Sequence, residues 1–210
     1  MAQGAVMREI GSACVRLCGV SYDRGSFQEP DSMSVSEPDA VRTLDAGCLR
    51  KARLSDMAKV KVLIDRGVGT DALLPRTLIE LCENVRDFHV YEEDGVILGC
   101  CALHVDMQNL AEVRSLVVHE DRRRTGVGAA MLRACLEDAR GLEVDKVYAL
   151  TRLPAFFERE GFLVIDKHEL PSKVFRDCVR CPKFPDCDEV AVIRDAAVAP
   201  EEKGTNHGHR

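Results

Sequence analysis

The clearest hydrophobic pattern lies in residues 112–139, where a short apolar run is followed by a basic loop and an amphipathic segment. Leu116–Val118 has the β-branched, apolar character of a buried strand. Farther along, apolar side chains recur with the spacing of one helical face, at Leu132, Cys135, Leu136 and Ala139. The pattern predicts a strand, a loop and a helix in succession.

Similar patterns predict the remaining elements. Ser55 is a favoured N-cap for a helix over Asp56–Arg66 that ends before Gly67, and Pro75 suits the first turn of the next helix. Asp94-Gly95 is a strong hairpin signal between two apolar segments. The predicted strands are Cys48–Leu54, Phe88–Glu93, Val96–His104, Glu112–Val118, Val144–Thr151, Phe162–His168 and Asp188–Arg194, and a short helix covers Pro154–Glu160. Elements in this order indicate one mixed α/β domain.

The flanking regions have less pattern. Residues 1–47 predict a poorly ordered extension, because Ser21–Pro38 is rich in serine, acidic residues and proline. Met33 is a candidate later start within this extension. We expect the folded domain to cover residues 48–195 and residues 196–210 to form a flexible tail.

Composition narrows the class of protein. Of its 210 residues, 46% are hydrophobic and 30% are charged, as expected for a soluble globular protein. The formal net charge of −6 argues against nucleic acid as a partner. No apolar run reaches membrane-spanning length and Met1–Ile10 lacks a signal-peptide pattern, so we expect a cytoplasmic protein with no membrane partner. In a reducing compartment the ten cysteines should be thiols or metal ligands.

The loop between the predicted strand and helix has the composition of an anion site. Arg122–Arg124 supplies positive charge, and Gly126 and Gly128 open a helix whose first N–H groups lack intrahelical partners. This predicts a site for a phosphate-bearing ligand. The loop has no Gly-Lys-Ser/Thr of a nucleotide P-loop, and Met131 stands where a dinucleotide fingerprint needs glycine or alanine. An ordinary strand-to-helix turn with a solvated basic loop is the alternative.

Several motifs together resemble one family. Arg123-x-x-Gly126-x-Gly128 resembles the pyrophosphate loop of the GNAT acetyltransferase superfamily, as do Gly99, the strand before the loop and the aromatic segment Phe156–Phe162. A closer similarity, in strings such as Leu74-Pro75-Arg76, is to the acetyltransferase domain of N-acetylglutamate synthases, in particular their short stand-alone bacterial form. The resemblance implies a GNAT fold, with a mixed central sheet of about six to seven strands flanked by about four helices.

The resemblance also implies acetyl-CoA as the acetyl donor. It assigns donor binding to Leu116, Val117, Val118, Arg123, Arg124, Thr125, Gly126, Val127, Gly128 and Ala129. Glu112 matches the glutamate that deprotonates the acceptor amine through a water, with a plain strand-end charge as the alternative. Phe157 stands where many relatives have a tyrosine as general acid, and phenylalanine cannot donate a proton.

The function implied by the resemblance is transfer of acetyl to the α-amine of L-glutamate, the first step of arginine biosynthesis. An acceptor with two carboxylates needs cationic partners, for which the candidates are Arg76, Lys173, Arg114 and Arg152. The alternatives are a GNAT enzyme for another amine and a non-catalytic acyl-CoA- or metal-binding module. The expected partners are acetyl-CoA and a small amino acid, and a homodimer is compatible with them.

Cysteines near the C-terminus raise the question of a metal. Cys178-x2-Cys181-x5-Cys187 contains one pair with the spacing of zinc ligands, and His168 or Asp188 could complete a set of four. The motif has three cysteines and no second C-x2-C pair. We therefore favour a connection packed with reduced thiols and expect no bound metal.

Overall fold

The computed structural model of the protein describes residues 42–44, 47–68, 73–170, 178–181 and 184–197. These residues all belong to one compact unit, 38–210. Residues 1–41 of the predicted extension 1–47 and residues 198–210 of the predicted tail 196–210 lie outside the described residues.

A mixed sheet forms the centre of the domain, as the family resemblance implies. Its described strands are β1 (Arg42–Leu44), β2 (Gly47–Lys51), β3 (Phe88–Glu93), β4 (Val96–Met107), β5 (Leu110–Val118), β6 (Lys146–Thr151), β7 (Leu163–Ile165) and β8 (Val190–Asp195). They lie in the order β1-β2-β3-β4-β5-β6-β8-β7, which adds the three-residue β1 to the seven predicted strands. Only the β5–β6 pair is parallel among the described neighbours.

Four α-helices flank the sheet in the described chain: α1 (Met57–Val68), α2 (Leu78–Glu83), α3 (Val127–Gly141) and α4 (Pro154–Arg159). α1 and α2 contact the face that includes Cys100 and Ala102 of β4. α3 contacts the opposite face, to which Cys101 and Leu103 belong. None of the described helices is long and apolar enough to cross a membrane. The predicted element types and their order are confirmed.

Two predicted helix starts are wrong, and side-chain hydrogen bonds explain both. α1 is preceded by a 3-10 turn over Leu54–Asp56, and the Asp56 carboxylate accepts from the Arg53 N–H at 2.8 Å, so Ser55 is not the N-cap. α2 begins after Thr77, whose hydroxyl and the Glu80 carboxylate cap each other's backbone N–H groups. Pro75 therefore precedes this helix rather than occupying its first turn.

Gly67 was expected just past the end of the first helix, but it lies inside α1. A side chain there would come within 2.8 Å of Leu73. The glycine therefore permits the chain after α1 to pack closely against the helix.

The sheet opens between β5 and β6. In the described chain these strands pair from Leu110 to Glu112 on β5, opposite Lys146–Tyr148 on β6, and β5 then continues to Val118. The pairing of β4 with β5 shifts register near Cys100, and Ser115 has a φ of 54°. A bulge of this kind bends a strand and changes the direction in which its side chains point. The result is a gap in the sheet that begins at Glu112.

An ion-pair network fixes the start of α1 to the sheet. The Arg50 guanidinium donates to both Asp56 oxygens, at 2.7 and 3.1 Å, and its Nε donates to Glu92 at 2.9 Å. This arginine holds the pKa of the buried Asp56 carboxyl below its usual range. The carboxylate therefore stabilises the fold above the ordinary pKa of aspartate, and this stabilisation is lost as the pH falls through the lowered pKa.

We expect Asp56→Asn to lower the free energy of unfolding by about 2 kcal/mol near neutral pH, because it removes one of the two carboxylate partners of the partly buried Arg50. The difference should shrink in acid, where the wild-type carboxyl is itself protonated. Urea unfolding at a series of pH values measures both effects. Asp65→Asn removes the exposed Lys61–Asp65 pair and is the matched control, with an expected change below about 1 kcal/mol. A loss for Asp56→Asn that does not vary with pH would contradict this assignment.

Candidate active site

The junction between β5 and α3 exposes the first turn of a helix. Gly126 is the N-cap residue with a φ of 91°, and Arg124 also has a positive φ, of 63°. The Ala130 N–H bonds to the Gly126 carbonyl at 2.9 Å, which is the first bond of the helix. The N–H groups of Val127–Ala129 precede it and have no intrahelical acceptor, so they are donors for an anion.

The three arginines of this loop have different roles. Arg122 forms two bonds to the buried Glu93 carboxylate, at 2.7 and 2.5 Å, and holds the pKa of that carboxyl below its usual range. Its charge is thereby balanced within the fold. Arg123 donates to the Val118 carbonyl at 3.2 Å and, like Arg124, remains exposed. The positive charge left for a phosphate is therefore that of Arg123 and Arg124, whereas the sequence predicted a contribution from all three arginines.

The end of β5 lies beside the start of α3. Leu116 and Val118 pack against the core beneath α3, whereas Val117 is buried in the core beneath α1 and α2. A side chain at Gly128 would contact Val118 at 3.6 Å and Phe156 of α4 at 3.7 Å. The strand end, the helix start and α4 therefore surround a narrow slot at Gly128, between Val118 and Phe156.

A cavity of about 260 Å³ lies at the other side of the gap. The buried Glu112 carboxylate lines it, and so do Arg76 and Arg114. The remaining described lining residues are Leu73, Leu74, Val113, Ser115, Leu150, Lys167, His168, Cys178, Cys181, Phe184, Pro185, Cys187 and Glu189. The structure thus brings together the predicted base and two of the four predicted acceptor-binding cations.

Arg152 is not among the described residues that line this cavity. Arg152 forms an ion pair with Asp188, with its Nε 2.7 Å from a carboxylate oxygen. Lys173 lies outside the described residues, so its assignment stays a prediction.

Comparison with known proteins places these features in a family. Residues 64–162 match the Acetyltransferase (GNAT) family. The chain is 35% identical over 147 residues to an uncharacterized N-acetyltransferase of Chlorobaculum tepidum, an alignment that covers 70% of this chain and 95% of that protein. This chain belongs to the GNAT acetyltransferase family. It is therefore an acyltransferase, with acetyl-CoA as the acetyl donor.

Other GNAT proteins are similar over most of the described domain. An amino-acid acetyltransferase of Mycobacterium tuberculosis is 36% identical over 135 residues, which are 63% of this chain and 77% of that protein. A solved Mycobacterium tuberculosis structure in complex with CoA is 30% identical, with a TM-score of 0.61, and the match covers 70% of this chain and 98% of that one. The similarity to N-acetylglutamate synthases and their short form, stated from the motifs, is supported.

Phe157 of this GNAT enzyme is part of the core. It is buried, and its ring packs edge-on against Phe156 and Phe162, with ring centroids 5.1 and 5.2 Å apart. These contacts hold α4 against the strand that follows. The position offers no proton to the leaving thiolate, as the sequence indicated.

Sequence reasoning missed a polar pair beside Glu112. His104 of β4 is the direct cross-strand partner of Glu112, and the two residues therefore share a face of the sheet. The His104 Nδ1 lies 2.8 Å from an Asp87 oxygen, and burial raises the pKa of the Asp87 carboxyl. The strand was predicted to end at His104, whereas β4 continues to Met107. The sequence signal was the alternation of polar and apolar residues after Leu103.

Metal binding finds no support in the arrangement of the described residues. None of their His, Cys, Asp and Glu side chains form a group of three or more suited to hold a metal ion. The three cysteines of the C-terminal motif instead line the cavity that contains Glu112.

Gly128→Val should lower the affinity for acetyl-CoA by at least about tenfold, because its methyl groups would fill the slot between Val118 and Phe156. Calorimetric titration with acetyl-CoA measures the effect. Gly141→Val, near the end of the same helix with open space around it, is the matched control and should bind normally. Gly126→Val is a poorer test, since φ at Gly126 is 91° and valine would strain the backbone. Unchanged binding by a folded Gly128→Val protein would contradict the assignment.

Proposed function

We propose that this enzyme transfers acetyl from acetyl-CoA to the α-amine of L-glutamate, the first step of arginine biosynthesis. The supporting observation is that one cavity beside the sheet opening is lined by the buried Glu112 and by Arg76 and Arg114. A base for the amine and cations for carboxylates are thus present on the same walls. The name of the 36% identical relative, an amino-acid acetyltransferase, supports the same class of acceptor.

The charge of the cavity favours a dicarboxylic acceptor. Its described cationic lining residues are Arg76, Arg114, Lys167 and, when protonated, His168, whereas Glu112 and Glu189 are the described acidic ones. A polyamine would place further positive charge against these cations. Glutamate presents two carboxylates to them and one ammonium to Glu112. Arginine can bind each carboxylate through two parallel hydrogen bonds. We include Lys173 in this acceptor set as part of the proposal.

Donor binding is proposed to rely on backbone groups. The N–H groups from Arg124 to Ala129 would bind the pyrophosphate, with charge from Arg123 and Arg124. Beyond Glu112, β5 runs along the gap in the sheet, where its backbone would bind the pantetheine arm and the thioester carbonyl. In other enzymes, one hydrogen-bond donor that is fixed in place before the reaction stabilises the oxyanion by about 2.7–4 kcal/mol.

The reaction then needs two proton movements. Glu112, through a water, accepts a proton from the glutamate ammonium and leaves a neutral amine. The amine nitrogen attacks the thioester carbonyl, and the tetrahedral intermediate collapses as the carbon–sulfur bond breaks. The thiolate of CoA takes a proton from the attacking nitrogen or from water, because Phe157 cannot supply one. The products are N-acetylglutamate and CoA.

Arg76→Ala should raise the Michaelis constant for glutamate by more than about tenfold and leave that for acetyl-CoA nearly unchanged, because an acceptor carboxylate loses its cation. Steady-state kinetics with CoA thiol release as the signal measure both constants. The matched control is Arg66→Ala, an exposed arginine at the far end of α1 that does not line the described cavity, and it should behave as wild type.

Acceptor choice tests the same proposal without a mutation. A panel of amino acids and polyamines should show glutamate as the best acceptor, with glutamine much poorer because it lacks one carboxylate. Faster acetylation of glutamine or of a polyamine would overturn the glutamate proposal and leave the membership of the GNAT family unaffected.

Glu112→Gln should lower turnover by about 10²-fold or more, since the amide cannot accept a proton. The loss should be largest at low pH, where less of the amine is neutral without a base. The pH dependence of turnover measures this, and Glu189→Gln, which removes another carboxylate of the same cavity, is the control. Equal losses in the two variants would argue that Glu112 contributes charge rather than base catalysis.

A further inference from the structure

The C-terminal cysteine motif has no part in the chemistry described above, yet it faces the same cavity. Cys178, Cys181 and Cys187 line the cavity together with Glu112. A covalent change at these thiols would therefore alter the space next to the proposed acceptor site.

These thiols differ from those of the sheet and α3. The three cavity cysteines are partly exposed, whereas Cys100 and Cys135 are fully buried. Burial raises the pKa of the Cys100 thiol, and a hydrogen bond with Cys101 together with burial raises that of Cys135. Buried thiols such as those of Cys100 and Cys135 are inert, because the thiolate is the reactive form and a reagent must reach it.

Positive charge shares the cavity with these thiols. The cationic side chains of Arg76, Arg114 and Lys167 line the same cavity. The Lys167 ammonium also donates to the Cys187 carbonyl at 3.0 Å, which joins the motif to the turn after β7. Partly exposed cysteines among positive charges are the ones that react with disulfides and oxidants.

Cys178 and Cys181 lie at the two ends of one backbone turn. Cys178–Arg180 forms one 3-10 turn, and the Cys181 N–H bonds to the Cys178 carbonyl at 3.0 Å. In such a turn residues i and i+3 lie on the same side. Cys-x-x-Cys is also the spacing at which proteins form reversible disulfides.

We propose that Cys178 and Cys181 form a thiol modification site for low-molecular-weight disulfides, and that their oxidation weakens acceptor binding. The modification site is independent of the acceptor, whereas the effect of oxidation on acceptor binding rests on the proposed function. One thiolate of the pair attacks a sulfur of the small disulfide, forms a mixed disulfide and releases one small thiolate. The second cysteine, as its thiolate, then attacks the protein sulfur of the mixed disulfide and releases the other. The protein loses two thiol protons and two electrons, and the small disulfide takes them up to become two thiols.

The test treats the full chain with oxidised glutathione in the presence of a chelator and maps modified peptides by mass spectrometry. We expect a Cys178–Cys181 disulfide, a rise of at least about tenfold in the Michaelis constant for the acceptor, and an unchanged constant for acetyl-CoA. A dithiol reductant should reverse these changes. Cys181→Ser should prevent the disulfide. Cys82→Ser replaces a partly exposed thiol outside the described cavity lining, so its response should match wild type.

Several outcomes would overturn the proposal. They are preferential oxidation of Cys48 or Cys82, a disulfide with no effect on the acceptor constant, and zinc retained in stoichiometric amount that is lost in Cys178→Ser. Failure of the proposed function gives a different result. If glutamate is not the acceptor, the disulfide would still form. Oxidation would then raise the Michaelis constant for a different amine.

Discussion

The candidate active site depends on one break in the hydrogen bonding of the sheet. In the described chain, β5 pairs with β6 as far as Glu112 and then continues past the bulge at Ser115. Backbone polar groups along such a gap need a partner, and a thioester with its amide-containing arm can provide one. The proposed donor slot and the cavity both begin where the pairing ends. In the proposed function, a single interruption of the sheet thus places the buried Glu112 carboxylate beside the path of the acetyl-CoA arm.

Electrostatics divides this site into two parts within a chain of net charge −6. At the start of α3, Glu93 balances Arg122, so exposed backbone donors and two arginines remain for a phosphate-bearing group. In the cavity, Arg76 and Arg114 lie on the walls with Glu112. The first arrangement suits any CoA thioester, whereas the second is the proposed acceptor site. Substitutions at the start of α3 should therefore change the Michaelis constant for acetyl-CoA, and substitutions in the cavity should change the constant for the acceptor.

Prediction from sequence succeeded where one residue or one repeat determines the conformation. Asp94-Gly95 forms the predicted turn, with φ of 47° and 79°, and the apolar stripe of α3 is buried as expected. Prediction from sequence failed where neighbouring side chains compete to cap a helix. Asp56 is held by Arg50 of the preceding strand β2 and accepts from the Arg53 N–H, so this carboxylate rather than Ser55 caps the turn before α1. Gly67 was expected to follow the end of a helix, but it lies inside α1, where a side chain would collide with Leu73.

The sequence by itself determined the class of protein: the order of strands and helices, the glycine-containing loop of the GNAT family and the absence of tyrosine at Phe157. These are local patterns, so neighbours along the chain suffice to define them. The tertiary structure decided which charges serve the site. It paired Arg122 with Glu93 and Arg152 with Asp188, and it brought Arg76 and the cysteine motif to the cavity of Glu112. Such choices follow from contacts between residues far apart in sequence, and spacing along the chain does not encode them.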